Sequence, residues 1–193
     1  MCQSLLGGVG RKKSLVVLFH RRWAVPIIAE LHRRQGERFA YLAHHFAVSR
    51  ETLSQTLEYL IRNGLARRNP GYGHPLRPEY LLTEIGETLG PYCLRLSNLL
   101  NQAGEAAVGL KKWAMPIVHW LGTGDDSGRF SQLLKSHPSL TPKALSDSLK
   151  LMEDSELISR EVTSDFPPST RYSLTGKGRR YSRVLIEIER ALV

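Results

Sequence analysis

The chain has 193 residues, of which 41% are hydrophobic and 23% are charged. This composition is typical of a globular protein, and the length suits one large domain or two of about 90 residues each. Its apolar runs are far shorter than the roughly 20 residues of a membrane span. The 2 cysteines exclude a disulfide scaffold or a cysteine-built zinc site. With no recognisable secretory signal, we expect a cytoplasmic protein that does not associate with a membrane.

The charge balance favours an anionic partner. Lysine and arginine total 27 against 18 aspartates and glutamates, a net charge of +9, and the isoelectric point is near 9.8. Nucleic acid is the first candidate for the partner of such a basic protein and a membrane surface is the second. A basic surface that is merely well solvated is the remaining alternative.

The sequence repeats itself after about 90 residues, which indicates a tandem pair of modules rather than a solenoid. Trp23 and the five residues after it return in similar form from Trp113. Further equivalent positions are Arg21-Arg22 and Lys111-Lys112, Leu53 and Leu145, Leu57 and Leu149, Tyr80 and Tyr172, and Gly86 and Gly178. The sequence therefore predicts two domains, over residues 12–100 and 105–193.

The spacing of apolar residues predicts three helices at the start of the first copy. The first spans residues 23–31, with Pro26 either near its start or at a kink, and a separate helical turn over residues 14–19 precedes it. A short second helix follows. Ser49 is a good N-cap for the third, and Gly64 ends it. Predicted apolar positions are Phe39, Leu42 and Phe46 in the second helix, and Leu53, Leu57, Leu60 and Ile61 in the third.

A β-hairpin and a last helix complete the first copy. Residues 65–68 and 79–82 predict two strands around a turn-rich segment. Thr83 caps the last helix, whose apolar positions are Leu89, Leu94, Leu96 and Leu100. The order of helix, helix, helix, hairpin and helix predicts a winged helix-turn-helix.

The second copy predicts the same elements. Thr141 replaces Ser49 as N-cap, and Pro142 occupies the first helical position, where a missing N–H costs nothing. Strands are predicted over residues 158–163 and 171–174, and Thr175 begins the last helix. Predicted apolar positions are Leu145, Leu149, Met152, Tyr181, Leu185, Ile186 and Ile188. The predicted fold is mainly α with small β-hairpin wings (α+β), in two tandem winged helix-turn-helix domains.

The ordered motif residues of each copy resemble the HxlR-type winged-helix transcriptional regulators. In the first copy they are Trp23, Pro26, Ile27, Leu31, Arg38, Phe39, Leu42, Leu53, Ser54, Leu57, Gly64, Leu65, Arg68, Pro75, Tyr80, Leu82, Thr83 and Gly86. The second copy carries the same set, except that Glu156 replaces Gly64. The resemblance implies a sequence-specific regulator that binds double-stranded DNA.

Members of this family usually have one module per chain and act as homodimers, so the resemblance implies that one chain here is an intramolecular pseudo-dimer. The expected assembly is this monomeric pseudo-dimer or a homodimer of chains. The family often has arginine before the last leucine of its recognition helix, where this chain has Thr56 and Ser148. Cys2 lies outside the matching pattern, so the redox role of the N-terminal cysteine in some relatives is not transferred to it.

The third helix and the wing of each copy supply the predicted DNA-binding residues, because a helix fits the major groove and wings contact phosphates or the minor groove. Arg50 could pair with guanine and Gln55 with adenine, or both could lie on a solvated face. Asp147 could accept a hydrogen bond from cytosine or repel phosphate. The predicted set is Arg50, Ser54, Gln55, Arg67, Arg68, His74 and Arg77 in the first copy and Lys143, Ser146, Asp147, Lys150 and Arg171 in the second.

The charges differ between the two copies. Up to Leu110 the chain has 14 lysines and arginines against 8 aspartates and glutamates, and after it 13 against 10. The second wing also contains Glu161 and Asp165. We therefore expect the first copy to bind DNA more strongly.

A different function is also compatible with the sequence, namely a small-molecule sensor or sequestering protein on a scaffold whose DNA binding is lost or weakened. Its ligand would lie in the crevice between domains, lined by Trp23, Trp113, Met115, Trp120 and Phe130. This alternative predicts a closed apolar cavity and recognition helices covered by the other copy. Such an effector could also act together with DNA binding.

No catalytic set and no phosphate-binding glycine loop can be assembled from local motifs. His44, His45 and His119 lack the spacing of metal ligands. We therefore expect no enzyme activity, no cofactor and no metal.

Overall fold

The structure is a computed structural model that describes residues 15–70, 78–164 and 168–192. Two copies of one series of elements follow each other. The first contains α1 (Leu15–Phe19), α2 (Ala24–Arg34), β1 (Glu37–Arg38), α3 (Phe39–Phe46), α4 (Arg50–Arg62), β2 (Ala66–Asn69), β3 (Glu79–Leu82) and α5 (Glu84–Gln102). The second contains α6 (Ala106–Gly109), α7 (Ala114–Thr123), β4 (Ser127–Arg129), α8 (Phe130–Ser136), α9 (Pro142–Asp154), β5 (Ile158–Val162), β6 (Thr170–Leu174) and α10 (Gly176–Leu192). The predicted tandem winged helix-turn-helix fold is confirmed.

Each copy has a small antiparallel sheet in addition to its helices. The strand orders are β1-β3-β2 and β4-β6-β5. Ala66 lies opposite Leu82 in the first sheet, and the equivalent Ile158 lies opposite Leu174 in the second. The predicted hairpins are therefore present, and β1 and β4 add a third strand to each. These two strands were not predicted, because two or three residues are too few to show an alternating pattern.

Hydroxyl side chains begin the third helix of each copy, α4 and α9. Ser49 Oγ accepts a hydrogen bond from the backbone N–H of Thr52 at 3.2 Å. Thr141 Oγ1 accepts one from Ala144 N at the same distance. Each cap satisfies a backbone donor that has no partner within the helix. The starts of α4 and α9 are thus fixed by the residues predicted to fix them.

A positive backbone angle recurs after the third helix of each copy. Gly64 has φ of 62°, and Glu156 has φ of 57° at the equivalent position. Thr83 Oγ1 donates to the Gly64 carbonyl at 2.8 Å, and Thr175 Oγ1 donates to the Glu156 carbonyl at 2.6 Å. The second copy therefore keeps the turn, although only glycine adopts this conformation without steric cost.

Some apolar positions differ from the prediction. Trp23 precedes α2 instead of lying in it, and Pro26 falls in the first turn, where its missing N–H needs no partner. Ile61 is 36% exposed because it lies in the last turn of α4, beyond the core. Leu94 and Ile186, at equivalent positions of α5 and α10, are half-buried.

The two copies pack against each other through the same elements. Helix α5 packs against α10, α1 of the first copy packs against α7 and α10, and α6 of the second copy packs against α5. Arg95 Nη1 donates a hydrogen bond to Glu187 Oε2 at 2.8 Å, and these residues are 92 positions apart, which is the repeat spacing. A residue that contacts its own equivalent lies on a two-fold axis. The copies are therefore arranged as a pseudo-symmetric pair.

A buried carboxylate ties the junction between the copies to α10. Glu105, only 6% exposed, accepts a hydrogen bond from the Tyr181 hydroxyl at 2.7 Å and contacts Lys177 Nζ. Burial, followed by the hydrogen bond to Glu105, raises the pKa of Tyr181. These contacts mark the junction, whereas the domain limits 12–100 and 105–193 stay predictions. None of the helices in the described ranges is long and apolar enough to cross a bilayer.

Candidate nucleic-acid interface

Helix α4 presents a polar face to solvent on the far side of its buried stripe. Leu53, Leu57 and Leu60 are buried, which turns Arg50 and Gln55 outward, and both are exposed. A helix with one apolar stripe directs its other residues away from the core. The first turn of α4, which is the part of a recognition helix that contacts bases, is therefore accessible.

The exposed side chains of α4 have polar or aromatic partners within the protein. Gln55 Nε2 donates to Glu51 Oε1 at 3.1 Å, and Arg21 Nη1 donates to Gln55 Oε1 at 3.1 Å. Half-buried Ser54 donates to Glu58 at 3.3 Å. The guanidinium of Arg50 lies 6.0 Å from the centre of the Phe39 ring. These exposed contacts are weak enough to be exchanged for contacts with bases.

Helix α9 presents a different set of side chains from the equivalent place. Lys143, Ser146, Asp147 and Lys150 are all exposed. Lys143 Nζ lies 3.2 Å from Asp147 Oδ2, one helical turn away. The equivalent positions of α4 carry Glu51 and Gln55. The exposed charges of the two helices therefore differ: α4 has Arg50 next to Glu51, whereas α9 has Lys143 near Asp147.

The residues that replace the family arginine do not contribute to this surface. Thr56 is 2% exposed and its hydroxyl donates to the Thr52 carbonyl at 2.8 Å. Ser148 is half-buried and donates to the Ala144 carbonyl at 2.7 Å. Both hydroxyls donate to a backbone carbonyl of their own helix. Neither hydroxyl is therefore placed to contact a base.

The strands of the first wing carry exposed cations. Arg67 and Arg68 lie on β2 and both are exposed. His74 and Arg77, predicted to belong to the same wing, lie outside the described residues. Arg68 is opposite Tyr80 in the sheet.

The second wing has mixed charges. Exposed Arg171 donates to Ser127 Oγ at 3.1 Å, and Glu161 lies opposite it in the β5–β6 pair. Opposite charges on neighbouring strands attract each other. Arg171 therefore has a local carboxylate that Arg67 and Arg68 do not have across the β2–β3 pair, where they face Leu81 and Tyr80.

A buried glutamate supports the helix that precedes α4. Glu30 on α2, 5% exposed, accepts hydrogen bonds from Arg33 at 2.6 Å and from the Tyr41 hydroxyl on α3 at 2.8 Å. Burial alone would raise the pKa of Glu30, but these hydrogen bonds and the nearby charges of His45 and Arg33 lower it overall. The ionised carboxylate thus fixes α3, and with it the helix-turn-helix, against α2.

The predicted ligand-binding residues do not meet in one cavity. Trp113 and Trp120 line one open crevice, with a volume of about 590 Å³, to which α1 of the first copy also contributes. Trp23 lines the equivalent crevice between α2, α3, α5 and α6, of about 340 Å³. Met115 is fully buried in the core, and Phe130 is partly buried against it; neither lines these two crevices.

Sequence reasoning missed the contribution of Arg21. This residue lies in the turn between α1 and α2, and it reaches Gln55, 34 positions later, on the exposed face of α4. The recurrence of a basic pair before each of the tryptophans Trp23 and Trp113 was the available signal.

Among the described residues, no three histidine, cysteine, aspartate or glutamate side chains are grouped as they would be to hold a metal ion.

Comparisons with known proteins identify the family of the chain. The profile of the HxlR-like helix-turn-helix family matches residues 18–107 and again residues 108–191. A Bacillus subtilis (strain 168) protein named uncharacterized HTH-type transcriptional regulator YvaP is 36% identical over 88 residues, which are 45% of this chain and 80% of that protein. The HTH-type transcriptional regulator YodB of the same organism is 30% identical over 96 residues, 49% of this chain and 84% of YodB.

Among solved structures, the reduced form of YodB is similar, with 28% sequence identity and a TM-score of 0.39 over 52% of this chain and 87% of the YodB chain. Both relatives match about half of this chain, whereas the family profile matches each half in turn. The chain therefore belongs to the HxlR-like helix-turn-helix family of transcriptional regulators and contains two copies of the family domain.

Proposed function

We propose that this protein is a sequence-specific transcriptional regulator that binds double-stranded DNA through both of its domains, as an intramolecular pseudo-dimer. The observation that supports this most is that α4 and α9 both expose their first turns, while equivalent elements pair the two copies. We expect it to act by binding, without catalysis, and in the cytoplasm.

In the proposed complex, α4 and α9 enter two successive major grooves, whose centres are about 34 Å apart on one face of B-DNA. Arg50 has the fork geometry that pairs with O6 and N7 of guanine, and Gln55 the amide that pairs with adenine. To do so, Gln55 exchanges its contacts with Glu51 and Arg21 for contacts with the base. Because the two helices present different side chains, one chain is expected to prefer an asymmetric site.

The wings supply contacts to the backbone in this proposal. Arg67 and Arg68 are exposed and have no acidic residue opposite them across the β2–β3 pair, so they are suited to phosphates. Phosphate contacts fix the register of the protein on DNA but carry no sequence information. Specificity is therefore assigned to α4 and α9, and affinity largely to the wings.

The test is fluorescence anisotropy with a labelled duplex from upstream of the protein's own gene, in the presence of excess non-specific competitor DNA. Specific binding that Arg50→Ala weakens by about 1–3 kcal/mol supports the proposal. Arg62→Ala, which removes an exposed cation from the other end of α4, is the matched control and should cost less. Binding that is equal for all sequences would contradict the proposal.

A second candidate function is effector sensing in the crevice lined by Trp113 and Trp120. The crevice also contains His119 Nε2, 3.0 Å from Glu189 Oε2, and residues of α1. Burial lowers the pKa of His119, and the neighbouring carboxylate of Glu189 counters this only in part. Aromatic faces beside a carboxylate favour a small organic cation.

The observation that favours sensing is the direct connection from this crevice to the recognition helix. Helix α1 lines the crevice and leads into the turn from which Arg21 contacts Gln55. A titration with tetraphenylphosphonium, with benzoate as the anionic control, tests it. Quenching of tryptophan fluorescence that Glu189→Gln removes supports a cation site, whereas equal quenching by benzoate contradicts it.

The purely sequestering alternative expects covered recognition helices, and α4 and α9 are exposed.

A further inference from the structure

Equivalent residues of the two copies come together at two places in the molecule. At the α5–α10 packing, Arg95 contacts Glu187, its own equivalent in the repeat. The second place is formed by the turns before α2 and α7, which carry the equivalent pairs Arg21-Arg22 and Lys111-Lys112. Arg22, Lys111 and Lys112 line one common crevice of about 440 Å³. Equivalent residues from the two copies therefore meet here as well.

These turns lie between the two recognition helices. On one side, Arg21 Nη1 is bonded to Gln55 Oε1 of α4 at 3.1 Å. On the other side, the crevice that contains Arg22 and Lys111 is completed by Ala144, Asp147 and Ser148 of α9. We name Arg21, Arg22, Lys111 and Lys112 the central basic patch. It connects the two surfaces that are proposed to enter the major grooves.

Positive charge is concentrated at this patch. Three of its four cations line one crevice, and Arg22 and Lys111 are exposed. Asp147 is the acidic residue among those lining the crevice, and it already lies 3.2 Å from Lys143. His20, stacked on Tyr59 in the same region, has its pKa lowered by burial, then by the charges of Lys112 and Arg21. The charges of Lys112 and Arg21 thus add to the effect of burial on this neighbouring imidazole.

We propose that the central basic patch binds the phosphates of duplex DNA at the centre of the operator, between the two half-sites. When two helices occupy successive major grooves on one face of B-DNA, the intervening minor groove faces the protein at the two-fold axis. The phosphate rows that border this groove then lie opposite the patch. This inference rests on the proposed function and adds a third contact region to the helices and wings.

The patch has a function that single-domain contacts cannot supply. Because two of its cations come from each copy, it binds the DNA centre only when both copies hold their relative position. The affinity for DNA therefore depends on the spacing between the two half-sites. The phosphate contacts of the patch contribute no base preference of their own.

The experiment compares the wild-type chain with the double variant Arg22→Gln and Lys111→Gln, on a duplex that the wild type binds specifically. The matched control is Arg183→Gln with Arg190→Gln, which removes the same charge from exposed positions of α10. Hydroxyl-radical footprinting and the salt dependence of affinity are measured for all three. Thermal unfolding verifies that the variants are folded.

The expected result is protection of the backbone between the half-sites by the wild type and the control, and its loss in the double variant with the half-site footprints retained. In the double variant, the magnitude of the slope of log K against log salt decreases by about 2, since two cations are removed and each phosphate contact contributes about 0.9. If the wild type protects the two half-sites but not the segment between them, this inference is overturned and the proposed function stands. Central protection that the double variant retains also overturns this inference. If the wild type binds no duplex from upstream of its own gene specifically, both this inference and the proposed function are overturned.

Discussion

Helices α4 and α9 occupy equivalent places, and each begins at a hydroxyl N-cap and buries its leucines at the same positions. Their exposed faces differ. Helix α4 offers Arg50 and Gln55, whereas α9 offers Lys143 paired with Asp147. The first wing has two exposed arginines on β2, while the second sets Glu161 opposite Arg171.

The difference teaches that the two copies share residues required for folding but expose different side chains to a partner. Several positions that define the fold are buried leucines in both copies, such as Leu53 and Leu145 or Leu57 and Leu149, because a core leucine has few tolerated replacements. Exposed positions are free to change without loss of stability. The comparison therefore predicts equal effects of matched changes in the core and unequal effects on the surface.

The largest expected effect comes from the core, where the copies should respond alike. Leu57 and Leu149 are each 1% exposed, and replacement of either by alanine should lower the free energy of unfolding by about 3 kcal/mol. Urea denaturation followed by circular dichroism measures both values. A difference above about 2 kcal/mol between the two variants would contradict equal packing of the copies.

The next largest effect should separate the recognition helices. Arg50→Ala should weaken specific binding by about 1–3 kcal/mol, and Lys143→Ala by less than about 1 kcal/mol, because Lys143 already has a carboxylate partner. Asp147→Asn should strengthen binding, because it removes that carboxylate. Anisotropy titrations at fixed salt measure these changes, and an equal loss for Arg50→Ala and Lys143→Ala would show that both helices bind alike.

A smaller difference is expected between the wings. Arg67→Gln combined with Arg68→Gln should reduce the salt slope of binding by up to about 2, at about 0.9 for each phosphate contact. Arg160→Gln combined with Arg171→Gln should reduce it by less, since Glu161 lies opposite Arg171. The slope of log K against log salt is measured for each pair. The comparison fails if the second pair has the larger effect.

The smallest expected effect is on the free energy of unfolding, and it has opposite signs for the changes at Gly64 and Glu156. Gly64→Ala places a side chain at φ of 62° and should destabilise the protein by about 1 kcal/mol. Glu156→Gly relieves the same strain at φ of 57°, and after the entropy of glycine is subtracted it should stabilise by about 0.5–1 kcal/mol. Thermal unfolding measures both shifts. Destabilisation by Glu156→Gly would mean that the glutamate side chain contributes more than the strain costs.

The sequence was sufficient for the features that depend on nearby residues. Ser49, Thr141 and Gly64 were assigned correctly because a cap or a helix end is decided within a few positions. The repeat then verified each assignment in the other copy. The tandem winged-helix fold and its family were therefore predictable from residues alone.

Features that depend on distant residues were not predictable. The contact from Arg21 to Gln55 joins a turn and a helix that approach each other only in the folded core. The two crevices exist because α1 and α6 pack against the opposite copy, which no local pattern encodes. Met115 and Phe130 were assigned to a ligand site because of their residue type, whereas their burial in the structure reflects tertiary packing.

The contact between Arg95 and Glu187 has a consequence for assembly with other proteins of this kind. In a dimer of two identical single-domain chains, a residue on the axis meets a copy of itself, so a charge there would face a like charge. Covalent fusion of the two halves allows one position to become arginine and the other glutamate. Pairing of α5 with a second α5 would set two guanidinium groups against each other. The ion pair thus favours contact between the two unlike halves over contact between two identical halves.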